Sequence, residues 1–168
     1  MKFSELVAER YSCKAYSGQK ITDEELNTIL EAGRLAPTAK NLQEQHVYVV
    51  QSEEGLAKID KLTPCRYGAS TVLVVAYDKN NVFVYPGEKR DSGIEDASIV
   101  ATHMMLAAAS IGVDSCWINF FNPDEAKSVL GLPDCEEVLM FLDLGHANEK
   151  KEKIVKHRKE LSETVSHL

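Results

Sequence analysis

The sequence predicts an α+β fold in a single domain. Three observations predict it. Apolar strand segments and amphipathic helices mix along the chain without strict alternation. No internal repeat, low-complexity tract or composition break divides the sequence, and 168 residues are about one domain's worth, enough to bury a core without staples. Hydrophobic residues at 44% and charged residues at 27% are ordinary for a globular protein, which sets aside disordered and fibrous classes.

The elements follow in order. A first helix is expected from Ser4 to about Arg10, with Phe3, Leu6 and Val7 on one face. A second begins at Thr22-Asp23-Glu24-Glu25, a capping box in which Thr22 and Glu25 satisfy each other's orphan amides. Leu26, Ile29 and Leu30 continue it until Gly33 and Pro37 stop it. His46 to Val50 and Thr71 to Tyr77 read as strands, the second apolar enough for the middle of a sheet. A weaker extended run, Val82 to Tyr85, ends at the turn signal Pro86-Gly87.

The longest helix is expected from about Asp91 to Ile111, closed by Gly112. Its Ala/Met/Leu-rich half is apolar on nearly every side, which predicts burial all round, in a core or between subunits. Ser115 to Ile118 reads as a short strand, Asn122-Pro123-Asp124 as a capped helix start, and Glu137 to Leu144 as a strand ending at Gly145. The tail from Asn148 to Lys159 is charged and expected to be mobile up to Leu161.

A net charge of −7 argues against nucleic acid or an anionic membrane as the main partner, since both need a basic face. Cys13, Cys65, Cys116 and Cys135 contain no Cys-x-x-Cys pair, so reduced, mostly buried thiols are expected rather than disulfides or zinc. The start of the chain is too charged for a signal peptide, and Ile99 to Val113 falls short of the ~20 residues of a membrane span. A cytoplasmic protein is expected.

There is no Gly-x-Gly-x-x-Gly, Walker loop, nucleophile elbow or His-Glu-x-x-His. The histidines are scattered, and His103 reads as a satisfied interior side chain, with no metal site expected. Four segments remain. In Arg10-Tyr11-Ser12-Cys13-Lys14 an extended backbone would project Arg10, Ser12 and Lys14 together, a guanidinium fork, a hydroxyl and a point charge suited to phosphate. The plainer alternative has Arg10 facing the end of the first helix and Lys14 in water. In Ala36-Pro37-Thr38-Ala39-Lys40-Asn41-Leu42-Gln43 the primary amides suit the mixed donor–acceptor edge of a heterocycle, unless Thr38 and Asn41 satisfy only their own loop. Gly112 to Pro123 carries Trp117, Phe120 and Phe121, which line a flat slot or fill the core. Lys156-His157-Arg158-Lys159 is by default a solvated run.

In this order and spacing the four segments resemble the nitroreductase family of flavoproteins. The resemblance runs from Phe3 to Leu161. It rests on Arg-x-Ser-x-Lys, Ala-Pro-Thr-x-x-Asn-x-Gln, Leu-Ala-Ala-x-x-x-Gly-Val-x-Ser-Cys-Trp-Ile and Gly-Leu-Pro followed by Leu-Gly-His. It implies a central mixed, mainly antiparallel sheet flanked by helices, with the long buried helix at a homodimer interface. It also implies FMN, with Arg10, Tyr11 and Ser12 at the phosphate and Arg158 closing on it from the tail. Lys14 would stand near the N1–O2 edge of the ring, as electrostatic support. Pro37, Thr38, Ala39 and Asn41 would come from the other subunit, and Asn119 and Phe120 would sit beside N5, where a backbone N–H is expected. NADH or NADPH would be the reductant and a nitroaromatic or quinone the acceptor, in ping-pong turnover with no indispensable side-chain acid. Two alternatives stand beside this. One is a flavin-binding relative without NAD(P)H turnover (flavin-fragmenting, reductive-dehalogenating or a store); the other is a colourless interaction module.

The sequence departs from the family pattern at Gln43-Glu44-Gln45, where Gln-Pro-Trp is frequent, and at Phe120, where glycine is frequent. Tyr85, Glu88 and Arg90 are candidates for a small substrate loop.

Overall fold

The computed structural model describes residues 2–87, 89–149 and 156–168. In chain order the elements are α1 (Phe3–Glu9), α2 (Asp23–Arg34), β1 (Gln45–Val50), α3 (Glu53–Leu62), β2 (Thr71–Asp78), α4 (Gly93–Ser110), β3 (Asp114–Ile118), α5 (Pro123–Leu130), β4 (Glu136–Gly145) and α6 (Leu161–Thr164). The strands form one sheet in the order β1-β2-β4-β3, antiparallel at every pairing. Parallel geometry among the described residues is confined to an isolated bridge between Ser12 and Ser115. The class is α+β, as expected.

The first six residues of β2 are fully buried, which requires cover on both faces of the sheet. Alternation supplies it. Leu73 and Val75 join Met140, Leu142 and Leu144 against α2 and α4. Val72 and Val74 join Cys116, Ile118 and Phe141 against Ile59 of α3 and Ala126 of α5. Cys13 and Cys116 are buried, Cys65 and Cys135 half-buried, and all four are free thiols.

Local chemistry accounts for most helix ends. The capping box opening α2 is present, with Thr22 Oγ1 accepting from the Glu25 amide at 3.1 Å and Glu25 Oε2 accepting from the Thr22 amide at 2.7 Å. Helix α4 closes with Gly112 at φ 82°, the Val113 amide donating to Ala108 at 2.9 Å and the Gly112 amide to Ala109 at 3.4 Å. This is a Schellman ending that needs the left-handed conformation glycine adopts without strain.

Several expectations need correction. Gly33 does not stop α2 but lies within it, because α2 and α4 pack closely there. A Cβ on Gly33 would meet Met104 Cγ at 2.8 Å. Helix α3 was not foreseen, although Ser52 caps it by accepting from the Gly55 amide at 3.1 Å. Val82 to Tyr85 forms no strand, only a bridge between Val84 and Asp91. Within one chain α4 is buried along one face, through Ala97, Val100, Ala101, Met104 and Ala108. Ile94 (59%) and Ile99 (37%) stay exposed on the other, so burial all round is not reached without a partner. His103 is half-buried on α4 rather than interior. Glu88 and residues 150–155 of the tail lie outside the described residues, and with them parts of the expected substrate loop and mobile tail. Among the described residues no helix is long and apolar enough to cross a membrane, and no cluster of His, Cys, Asp or Glu could hold a metal.

One charge sits inside the sheet. Asp143 on β4 pairs with Cys116 of β3, is 1% exposed, and neither of its carboxylate oxygens has a hydrogen-bond partner among the described residues. Burial raises its pKa from 3.8 to about 8, against the pull of Arg66, which is engaged with Asp60 at 2.6 Å. The folded chain therefore holds a proton that the unfolded chain releases above its own lower pKa. The stability it contributes is present in acid and lost as pH rises through about 8. Keeping Asp143 protonated at neutral pH costs on the order of 4 kcal/mol. Asp143→Asn should flatten the decline in unfolding free energy between acid and mildly alkaline pH relative to the wild type, measured by urea titration. Parallel pH profiles for the two proteins would exclude this burden.

Candidate functional site

The segment after α1 is held by main-chain bonds. Arg10 leaves the helix in an extended conformation, φ −50° and ψ 132°. The Cys13 amide donates to Ser115 at 2.9 Å, the Tyr16 amide to Tyr67 at 3.1 Å and the Ser17 amide to His146 at 2.9 Å, while Ala15 accepts from the Asn148 amide at 3.0 Å. Cys13 and Tyr16 are buried, whereas Ser12 and Lys14 are exposed. The alternation expected from an extended backbone is thus present, with Ser12 and Lys14 opposite Cys13. Tyr11 packs beside Cys13, Tyr16 and Ala69. Its hydroxyl pKa is raised by burial and by a hydrogen bond to Asp114, so its side chain belongs to this packed face.

The tail returns to the same place. Lys156 Nζ donates to the carbonyls of Val7 at 3.3 Å and Ala8 at 2.5 Å, which satisfies the end of α1. Its pKa is held below the ordinary lysine value by burial first and then by the positive charges of Arg10 and Arg158. Arg10 and Arg158 thus stand near enough to Lys156 for their charges to disfavour its own. Among the described residues no carboxylate reaches ion-pair distance of Arg10, Lys14, Lys156 or Arg158. The plainer role for Arg10, facing the helix end, is filled by Lys156. Two guanidinium groups and an ammonium with no ion-paired carboxylate among the described residues fit a phosphate dianion. Lys156 is the residue sequence reasoning missed. Its signal lay in the Lys156-His157-Arg158-Lys159 run, but only a contact spanning most of the chain gives it meaning.

The cleft at this end, lined by residues including Leu6, Glu9, Arg10, Tyr11, Asp114 and Ser115, has a volume of about 110 Å³. Cofactor pockets are usually ~300 Å³ or more, so one chain offers part of a site. Beyond β3, the Asn119 side chain accepts a hydrogen bond from the Trp117 indole, which is only half-exposed against the core. Phe120 is 72% exposed, and its amide has no hydrogen-bond acceptor among the described residues.

The loop from Pro37 to Gln43 lies elsewhere. The Ala39 amide donates to both oxygens of Asp96 at 3.0 and 3.1 Å. Thr38 Oγ1 accepts from the Gln43 amide at 3.1 Å, so Thr38 serves its own loop. Lys40, Asn41 and Gln43 all adopt positive φ, between 51° and 56°. The Asn41 side chain makes no hydrogen bond among the described residues, although its carbonyl accepts from Gln43 Nε2 at 3.3 Å. Asp96 lies in the first turn of α4, whereas the cleft touches Ala109 at its far end. At 1.5 Å per residue these points are ~20 Å apart along the axis. A single chain thus brings Arg10 and Arg158 to Lys156, shows Ser12 and Lys14 exposed on the segment that follows Arg10, and keeps Ala39, held by Asp96, at the other end of α4.

Comparison with known proteins identifies the family and the fold. The profile of the Nitroreductase family matches residues 7–66 and 63–146. The crystal structure of a nitroreductase family protein from Clostridium difficile 630 superposes with a TM-score of 0.93 at 37% identity, over 99% of this chain and 98% of that one. An FMN-dependent nitroreductase from Clostridium difficile R20291 superposes with a TM-score of 0.78 at 27% identity, over 97% and 96% of the two chains. A protein of Archaeoglobus fulgidus, provisionally named an NADH dehydrogenase/NAD(P)H nitroreductase, is 30% identical over 157 residues, 88% of this chain and 86% of its own. With the profile spanning most of its length, and with such relatives, the chain belongs to the nitroreductase family.

Proposed function

We propose that the protein is an FMN-dependent oxidoreductase, driven by NADH or NADPH in ping-pong turnover, that reduces nitroaromatics, quinones or similar small acceptors. The observation that supports this reading is that Arg10 and Arg158 bear on Lys156 while none of the three is ion-paired to a carboxylate among the described residues. Bound FMN would supply the redox chemistry, taking up hydride equivalents from the nicotinamide and passing electrons to the acceptor.

The chain's own residues have separate tasks. Arg10, Ser12, Lys156 and Arg158 bind the phosphate. Lys14, on the same face, places positive charge where a reduced ring would gather negative charge, which lowers the energy of reduction. The Phe120 amide is a donor without an internal partner, available to the ring beside β3. No side-chain acid is assigned a role, since the flavin would carry the electron chemistry itself.

The remaining contacts are proposed to come from a second copy. A two-fold dimer along α4 would set the loop end of one helix against the cation end of the other. The partner's Asn41 and the partner's Pro37 and Thr38 would then complete the site. Ala39 would contribute surface only, since its amide is given to Asp96. The exposed apolar side chains Phe3, Val7, Leu35, Ile94, Ile99 and Leu161 supply the material for such an interface.

Arg10→Ala should weaken FMN binding by about 1.5–3 kcal/mol, the worth of a charged hydrogen bond. Fluorescence titration of apoprotein with FMN measures this, and unchanged affinity would remove Arg10 from the phosphate. Sedimentation should find a dimer; a monomer that still retains FMN would contradict the shared site. In an anaerobic cuvette NADH or NADPH should bleach the bound flavin rapidly. Flavin that stays yellow would point instead to a binding or storage protein.

A further inference from the structure

Glu44 takes no part in the site described above. It replaces a residue that is frequently proline in the family, and it is 4% exposed. Its Oε1 accepts from Ser92 Oγ at 3.2 Å, and Ser92 Oγ in turn accepts from the Phe83 amide at 3.1 Å. Its other oxygen, Oε2, has no hydrogen-bond partner among the described residues; Asp96 lies one helical turn beyond Ser92, its amide donating to the Ser92 carbonyl at 2.8 Å, and its carboxyl bears on that of Glu44. Asp96, also 4% exposed, spends both its oxygens on the Ala39 amide. Two buried carboxylates cannot sit against each other with both charged, whereas one proton between them turns repulsion into a hydrogen bond.

We propose that Glu44 is a positioning residue: it is kept as the neutral acid, donates its proton to Asp96, and so holds Asp96 as the carboxylate that clamps Ala39 and sets the loop from Thr38 to Gln43. Lys40, Asn41 and Gln43 hold left-handed backbone conformations, which persist only when the surroundings enforce them. Asp96 enforces them from α4 and Glu44 fixes Asp96. Burial is the main cause that raises the Glu44 pKa, followed by the bond to Asp96. The fold thus favours the protonated form, and the clamp weakens as pH rises.

Other charges stand around the pair. Asp91 accepts from the Gly93 amide, Glu95 pairs with Arg90 and Tyr85, Lys40 lies over the Phe83 ring, and Tyr77 packs on Gly93. None of these gives Glu44 Oε2 a donor among the described residues.

The inference rests on the reading that this loop contacts FMN, and the test separates the two. Glu44→Gln keeps an acceptor for Ser92 and a donor for Asp96 but has no proton to lose. Hydrogen exchange at the Ala39 amide in the apoprotein is followed from mildly acidic to alkaline pH. After correction for intrinsic exchange, protection should fall with pH in the wild type and stay level in Glu44→Gln. FMN affinity, titrated over the same range, should weaken by about fivefold or more in the wild type relative to Glu44→Gln. Titrations of the ligand itself affect both proteins alike. Protection equally steady in both proteins would overturn the shared proton. A pH-dependent clamp in the wild type with an unaltered FMN affinity difference would support the clamp and overturn its coupling to flavin. No FMN binding at any pH would sink the flavin reading and leave the exchange result to decide the clamp. Should Glu44→Gln fail to fold, Asp96→Asn serves instead: with no carboxylate left to repel an ionised Glu44, its Ala39 protection should be level with pH, and a fall with pH equal to the wild type's would overturn the shared proton.

Discussion

The length of α4 governs where chemistry can occur in this protein. One face of the helix is welded to the sheet and to α2 through Ala97, Val100, Ala101 and Met104, and Gly33 lets α2 approach within contact of Met104. Because the helix is fixed, so are the features at its ends. Asp96 carries the loop at one end, and the turn through Gly112 delivers β3 and its Ser115 anchor at the other. The gap between them is a property of backbone geometry that no side-chain adjustment can close. Beside Arg10 a lone chain accordingly offers a cleft of only about 110 Å³.

The electrostatics oppose the average composition. A chain of net charge −7 brings Arg10 and Arg158 to bear on Lys156 with no ion-paired carboxylate among the described residues, while two of its carboxyl groups, Asp143 and Glu44, are buried where ionisation is disfavoured. A mostly acidic surface discourages polyanions generally. A small phosphate monoester can still be drawn into a local cluster, since exposed charges beyond about a Debye length are screened.

Local signals in the sequence identified local structure. The Thr22-Glu25 box, the Gly112 stop and the Asn122-Pro123 start depend on neighbours a few residues apart, and they are found as expected. The alternation of Ser12, Cys13 and Lys14 was legible for the same reason. Gly33 was misread because its cause is Met104, on another helix. Helix α3 carried a serine cap that was not weighed, and Val82 to Tyr85 had strand-like residues but no neighbouring strand to pair with. Lys156 and Asp96 were out of reach altogether, since each acts on a carbonyl or amide far away in sequence. The ordered motif set, by contrast, carried the family, because it spans the chain and does not depend on any one contact.

The bond from Lys156 to the carbonyls of Val7 and Ala8 joins segments 149 and 148 residues apart. A proteolytic cut between Gly145 and Lys156 would leave every strand pairing in place while removing the donor that closes the end of α1. The sheet would outlast such a cut, and the last carbonyls of α1 would be left to water.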